Sequence, residues 1–201
     1  MHSNKFYNRE IVNSPALNSI KIIKKRIVDI CNKVNRNPNS IELVAVSKNQ
    51  SINTINNFIN EGLLVFGENR LQESQVKWTK IIEKNKKIKL HFIGRMQTKK
   101  TNNILSLFQT IESIDNEKLL KKIALYISNN NKNNFKLFMQ INIGEEPQKG
   151  GVLPNEANDF LIMAKEKYNI NITGAMGIAP AKKIATPYFS LLKDFCKKNN
   201  L

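Results

Sequence analysis

Six short apolar runs, each followed by an amphipathic stretch of helical period, narrow the folds open to this chain more than any other feature. The runs Ile41–Val46, Leu63–Phe66, Lys89–Ile93, Gln109–Ile114, Phe135–Ile143 and Ile170–Met176 predict strands. Between and after them, Ser51–Asn60, Leu71–Glu83, Lys99–Leu107, Asn116–Ser128, Pro154–Tyr168 and Pro187–Lys198 predict helices. Strands that are apolar on both faces belong to a parallel sheet covered by helices. The expected class is therefore α/β, as a closed (β/α)8 barrel or an open doubly wound sheet. Ahead of the first strand, Leu17, Ile20, Ile23, Ile27, Ile30 and Val34 form a helical stripe, with Ser14-Pro15 as cap and first-turn proline. This predicts an N-terminal helix over about residues 14–34. A length of 201 residues with 41% hydrophobic content suits one core, so a single domain over 1–201 is expected.

The formal charge of +16 raises the question of a polyanionic partner. A nucleic-acid binder concentrates its charge in a patch or stripe. Here the lysines are spread along the helices opposite apolar residues, as on solvated faces, so no specific nucleic-acid partner is expected. Cys31 and Cys196 stand far apart with no CxxC spacing and read as free thiols in apolar helical settings. Met1–Glu10 has no apolar signal-peptide core, and no run reaches the length of a membrane span. A reduced, cytosolic, membrane-independent protein is the expectation.

The unusual polar and glycine-rich segments all follow the C-terminal ends of predicted strands, where ligands bind in both architectures. No GxGxxG or GxxxxGK[ST] follows the first strand, which removes the usual dinucleotide and P-loop readings. Lys48 closes the first run. On a low-dielectric barrel wall its ammonium would be destabilised, freeing the amine to form a Schiff base with an aldehyde. Lysines at strand ends are also commonly just solvated, and spacing alone leaves both readings open. Asn69, after Gly67, offers a ligand a donor and an acceptor, or else caps the next helix. His91 lies inside the third strand, and with two histidines and no Cys or acidic cluster it reads as a pocket or core residue rather than a metal ligand. Glu145 and Glu146 sit in a loop whose three glycines, Gly144, Gly150 and Gly151, suggest positive φ angles, and both acids are expected to face solvent. Met176 is placed to pack against a flat ring, or simply within the barrel.

In series, LVAVSK (43–48), FGENRLQE (66–73), HFIGRMQTKK (91–100), IESID (111–115), QINIGEEPQKGG (140–151) and GAMGIAP (174–180) resemble the pyridoxal phosphate homeostasis protein family. That family is similar in fold to the N-terminal domain of alanine racemase. The resemblance implies a TIM-barrel-like (β/α)8 fold, fold type III among pyridoxal 5'-phosphate (PLP) proteins, with about six βα units present here. It implies PLP at the C-terminal mouth as a Schiff base on Lys48, with Asn69 beside it and His91, Ile93 and Met176 lining the pocket. It further implies a non-catalytic, monomeric carrier or regulator of the intracellular PLP pool, with PLP-dependent apoenzymes as partners. The alternative is a fold-related amino-acid racemase, which needs a second base from a separate domain. The family's pattern continues with two further strands carrying a phosphate cradle and an arginine at the pyridine nitrogen, so a C-terminally incomplete barrel is expected. Gly177 and Ala179 stand where the family often has bulkier residues and another proline, a departure that loosens the pocket.

Overall fold

The computed structural model describes residues 15–132 and 134–201. These fall into two compact units, one ending at Val65 and one running from Phe66 to Leu201.

The first unit holds α1 (Pro15–Lys33), a 3-10 turn (Pro38–Ser40), β1 (Ala45–Val46) and α2 (Ile52–Asn60). Pro15 is the first residue of α1, while the expected cap Ser14 and the side chain of Leu17 lie outside the described residues. Ser51 caps α2: its extended backbone lets Oγ accept from Thr54 N at 3.1 Å. The predicted first strand shortens from six residues to two, because Ile41 closes the 3-10 turn by donating to Pro38 O at 3.1 Å. The stripe of α1 forms but stays open to solvent. Cys31 is buried, whereas Ile30 and Val34 are 60% and 62% exposed.

The second unit carries β2 (Val65–Glu68), which begins one residue before it, then β3 (Lys89–Phe92), β4 (Thr110–Ile114), β5 (Lys136–Ile141) and β6 (Gly174–Gly177). Their order in the sheet is their order in the chain, and the β3–β4, β4–β5 and β5–β6 pairs are parallel. The intervening helices are α3 (Leu71–Lys84), α4 (Thr101–Leu107), α5 (Glu117–Asn130) and α6 (Ala157–Tyr168), with α7 (Thr186–Lys198) after β6. The expected strand–helix succession is present through all six units, in the manner of (β/α) barrels.

Register divides the sheet into two unlike faces. Phe92 pairs with Ile111, Ile111 with Leu137, and Met139 with Ala175. Because alternate residues point to opposite sides, Leu90, Phe92, Ile111, Leu137, Met139 and Ile141 share one face, and each is at most 3% exposed. Helices cover this face: Phe66 meets Trp78 of α3 at 4.8 Å with the rings tilted, and Phe92 meets Phe108, just past α4, edge-on at 5.1 Å. The opposite face presents His91, Phe138, Gln140 and Met176, by the pairings of His91 with Thr110, Phe138 with Gly174, and Gln140 with Met176.

The sixth strand begins four residues later than predicted. Asn169 adopts a left-handed conformation (φ 50°) that ends α6, and Ile170 N turns back to Ala164 O at 2.8 Å. Ile170 and Ile172 are buried as the apolar seal of that helix end, so an apolar run read as strand is a helix stop. The fifth strand ends at Ile141 rather than Ile143, because Asn142 starts a closed loop.

Candidate functional site

The loop after β5, at the C-terminal edge of the second unit, is tied down by its own hydrogen bonds. Asn142 is buried, and its side chain spans the loop, donating to Glu146 O at 2.9 Å while its Oδ1 accepts from Glu146 N at 3.2 Å. Gln140 donates to Gly150 O at 2.8 Å, and Asp115 at the end of β4 accepts from Gly151 N at 3.3 Å. Lys149 pairs with Glu146 and donates to Ala179 O at 3.3 Å, tying the β5 loop to the β6 loop. Of the loop's three glycines only Gly151 has a positive φ (+121°), and a Cβ there would lie 2.6 Å from Asn142 N. Glu145 takes a second left-handed position (φ 49°) and is exposed, as expected. Glu146 departs from expectation, because its half-buried carboxylate fixes the loop instead of facing solvent.

The loops after β2 and β3 approach closely at Asn69 and Gly94. A Cβ on Gly94 would fall 2.1 Å from Asn69 O, so only glycine permits the approach. Asn69 is half-buried there and is not a helix cap: the cap position of α3 is Arg70, with no side-chain bond. The neighbouring Glu68 is fully buried, accepts from Trp78 Nε1 at 3.0 Å and pairs with Lys77 at 2.6 Å. Lys77 also meets Glu73 at 2.7 Å. The acid of the FGEN segment therefore anchors α3.

On the open face of the sheet, His91 is buried and Ile93, just past β3, is half-buried. Ile93 N donates to Glu68 O at 2.9 Å, which prolongs the sheet by one bond. His91 Nδ1 lies 2.6 Å from Oε1 of Glu112 on β4. Met176, in β6, is half-buried opposite Gln140. Register thus gathers His91, Ile93 and Met176 on one side of one sheet, together with Glu112 and Gln140, which sequence reasoning did not single out. A charged residue inside the apolar run of β4 was the available signal for Glu112, since buried charge is costly unless paired. Gln140 and Asp115 gave no such signal, because their roles depend on where the β5 loop folds back. A polar depression of about 980 Å³ lies on the rim between the β3 and β4 loops, lined by Arg95, Lys99, Asp115, Glu117 and Lys118 among others. None of the residues expected to bind a ligand lines it.

In the first unit, Lys48 follows β1 in a turn closed by Gln50 N donating to Ser47 O at 3.1 Å. Asn49 takes a left-handed φ of 61° in that turn. Lys48 is exposed. Of the two readings left open for this lysine, the exposure matches the solvated one, while Ser47, one residue earlier, is buried. Among the described residues no group of three or more His, Cys, Asp or Glu side chains is placed to hold a metal ion, and no helix is long and apolar enough to cross a membrane.

No family model matches the chain. It is 31% identical over 175 residues to the pyridoxal phosphate homeostasis protein of Aquifex aeolicus, covering 86% of this chain and 75% of that protein. With the protein of the same name from Buchnera aphidicola of Schizaphis graminum it shares 35% identity over 167 residues, 82% of this chain and 71% of the relative. The chain belongs to the pyridoxal phosphate homeostasis protein family. Its fold is similar to that of PipY from Synechococcus elongatus without PLP, with a TM-score of 0.72 at 25% identity over 86% of this chain and 80% of PipY. PipY with PLP bound gives 0.68 at 22% identity, over 86% and 82% of the two chains. Alanine racemase of Clostridium difficile in complex with cycloserine gives 0.61 at 11% identity, covering 80% of this chain and 46% of that one, a likeness of fold alone.

Proposed function

We propose that this chain binds PLP and acts as a non-catalytic carrier that regulates the intracellular PLP pool, as the name and bound cofactor of its relatives suggest for them. The observation that carries the reading is the open face of the second unit's sheet. Beside a helix-covered face lined by Leu90, Phe92, Ile111, Leu137, Met139 and Ile141, it sets an imidazole, a carboxylate and an amide next to the half-buried Ile93 and Met176. A flat, polar, aromatic cofactor needs that mixture of apolar contact and few placed polar groups. In the first unit, the exposed Lys48 amine is the proposed attachment point. PLP supplies an aldehyde that condenses with a primary amine and can be handed on to another. Asn69, His91, Ile93 and Met176 are the proposed contacts to its ring. Exchange with the amines of PLP-dependent apoenzymes is the proposed route of delivery. A reducing cytosol is the proposed setting, and the two cysteines, both free thiols, accord with it.

Titrating the purified chain with PLP and following the visible absorbance of the bound cofactor tests this. The expected result is a saturable band that is absent in Lys48→Ala. A chain that gives no band, or a band that survives in Lys48→Ala, would overturn the assignment.

A further inference from the structure

Glu112 is the one carboxylate within the strands of the open face, and its side chain is 15% exposed. It stands on β4 beside a bulge in the β4–β5 register, which falls between Ile111 and Ile114. Its hydrogen bond to His91 Nδ1, at 2.6 Å, has the short length of a charge-assisted bond. A carboxylate is an acceptor only, so Nδ1 carries the proton in either charge state of the ring. The bond therefore fixes both the rotation of the imidazole and the identity of its protonated nitrogen. In the neutral ring, Nε2 is then the acceptor nitrogen.

We propose that Glu112 is a positioning residue for PLP: it holds His91 as the Nδ1–H form, so that the Nε2 edge of the ring meets the cofactor. This rests on the reading of the open face as a PLP site and names how that face is kept in order. Two strands each contribute one member of the pair, so strand register and not a flexible loop sets the geometry. Glutamine at position 112 retains an acceptor oxygen at the same reach. Leucine retains the volume and removes the acceptor.

The test has two arms. In a His2→Gln background His91 is the single histidine of the chain, and its two ring nitrogens can be followed by nitrogen-15 resonance without PLP. The Nδ1–H form is expected there and in Glu112→Gln, while Glu112→Leu should lose it or mix it with the Nε2–H form. In the second arm, PLP titration should show affinity falling about tenfold in Glu112→Leu and about twofold in Glu112→Gln, the spread expected for loss of a partner to a buried polar group. Adding Glu112→Leu to His91→Leu should cost no more than about twofold further, as coupled residues are non-additive. An unchanged tautomer in Glu112→Leu, or two fully additive affinity losses, overturns the proposal. If the parent chain fails to bind PLP at all, the functional reading falls, and the resonance arm still decides whether Glu112 sets the tautomer.

Discussion

The two faces of the second unit's sheet are built from alternate residues of the same strands, yet they differ in kind. Leu90, Phe92, Ile111, Leu137, Met139 and Ile141 are apolar and sealed under helices. His91, Glu112, Gln140 and Met176, one residue along in each strand, carry polar groups or remain half-buried. Folding needs the first set, because removal of apolar surface from water is the main favourable term. It gains little from the second, in which the imidazole–carboxylate pair must offset the cost of its own desolvation. Residues kept there against that cost point to a ligand.

Exchanging methionines across the sheet sets the sharpest contrast. Met139→Ala, on the sealed face, should cost about 2–5 kcal/mol in denaturant unfolding, the range for emptying a packed core position. Next in size is Gly151→Ala, where a Cβ would meet Asn142 N at 2.6 Å and φ is +121°. A loss of about 1–3 kcal/mol is expected from forced backbone strain, together with faster amide exchange in the loop from Asn142 to Gly151. Met176→Ala, on the open face, should cost about 1 kcal/mol or less and weaken PLP binding instead. Equal losses at positions 139 and 176 would break the comparison.

The smallest effect is electrostatic and lies outside both faces. Hydrogen bonds from Lys167 and then Tyr168 hold the exposed Glu117 carboxylate below its ordinary value of 4.5. The same contact raises Lys167 and Tyr168 above their ordinary values, with the bond to Glu117 as the first cause of each. A lowered carboxylate stabilises the fold above its unfolded value and loses that contribution as pH falls through the folded one. The raised Lys167 and Tyr168 contribute below their unfolded values and lose the contribution as pH rises through the folded ones. Glu117→Gln should therefore give a slight fall in melting temperature near neutral pH that vanishes on acidification through the lowered Glu117 range. A difference that grows in acid would contradict the assignment.

The alternation of apolar runs and amphipathic stretches made the class of fold legible, because strand and helix periods are local properties of the sequence. Element ends were less legible. Ile170 and Ile172 have the residue types of a strand, and only the left-handed Asn169 with its backbone bond to Ala164 makes them a helix seal. Similarly, Ile143 prolongs an apolar run that Asn142 has already turned into a loop. His91 was legible as an internal pocket or core residue, but its partner Glu112 lies 21 positions away and is joined to it only by strand register. The buried Glu68–Lys77 pair and the grip of Asp115 on Gly151 were hidden too, because helix packing and the fold-back of a loop bring those residues together. Lys48 was legible as a residue but not in its surroundings, because the turn at Asn49 beside it has no signature beyond one asparagine.

PLP is proposed to be carried covalently on Lys48, one particular lysine of a chain that has many. Incubating the intact chain with PLP, reducing the product with borohydride and mapping the peptides would locate the attachment directly. A single stoichiometric adduct on Lys48, absent in Lys48→Ala, is the predicted result. Adducts scattered over the surface lysines, or one dominant adduct elsewhere, would contradict it.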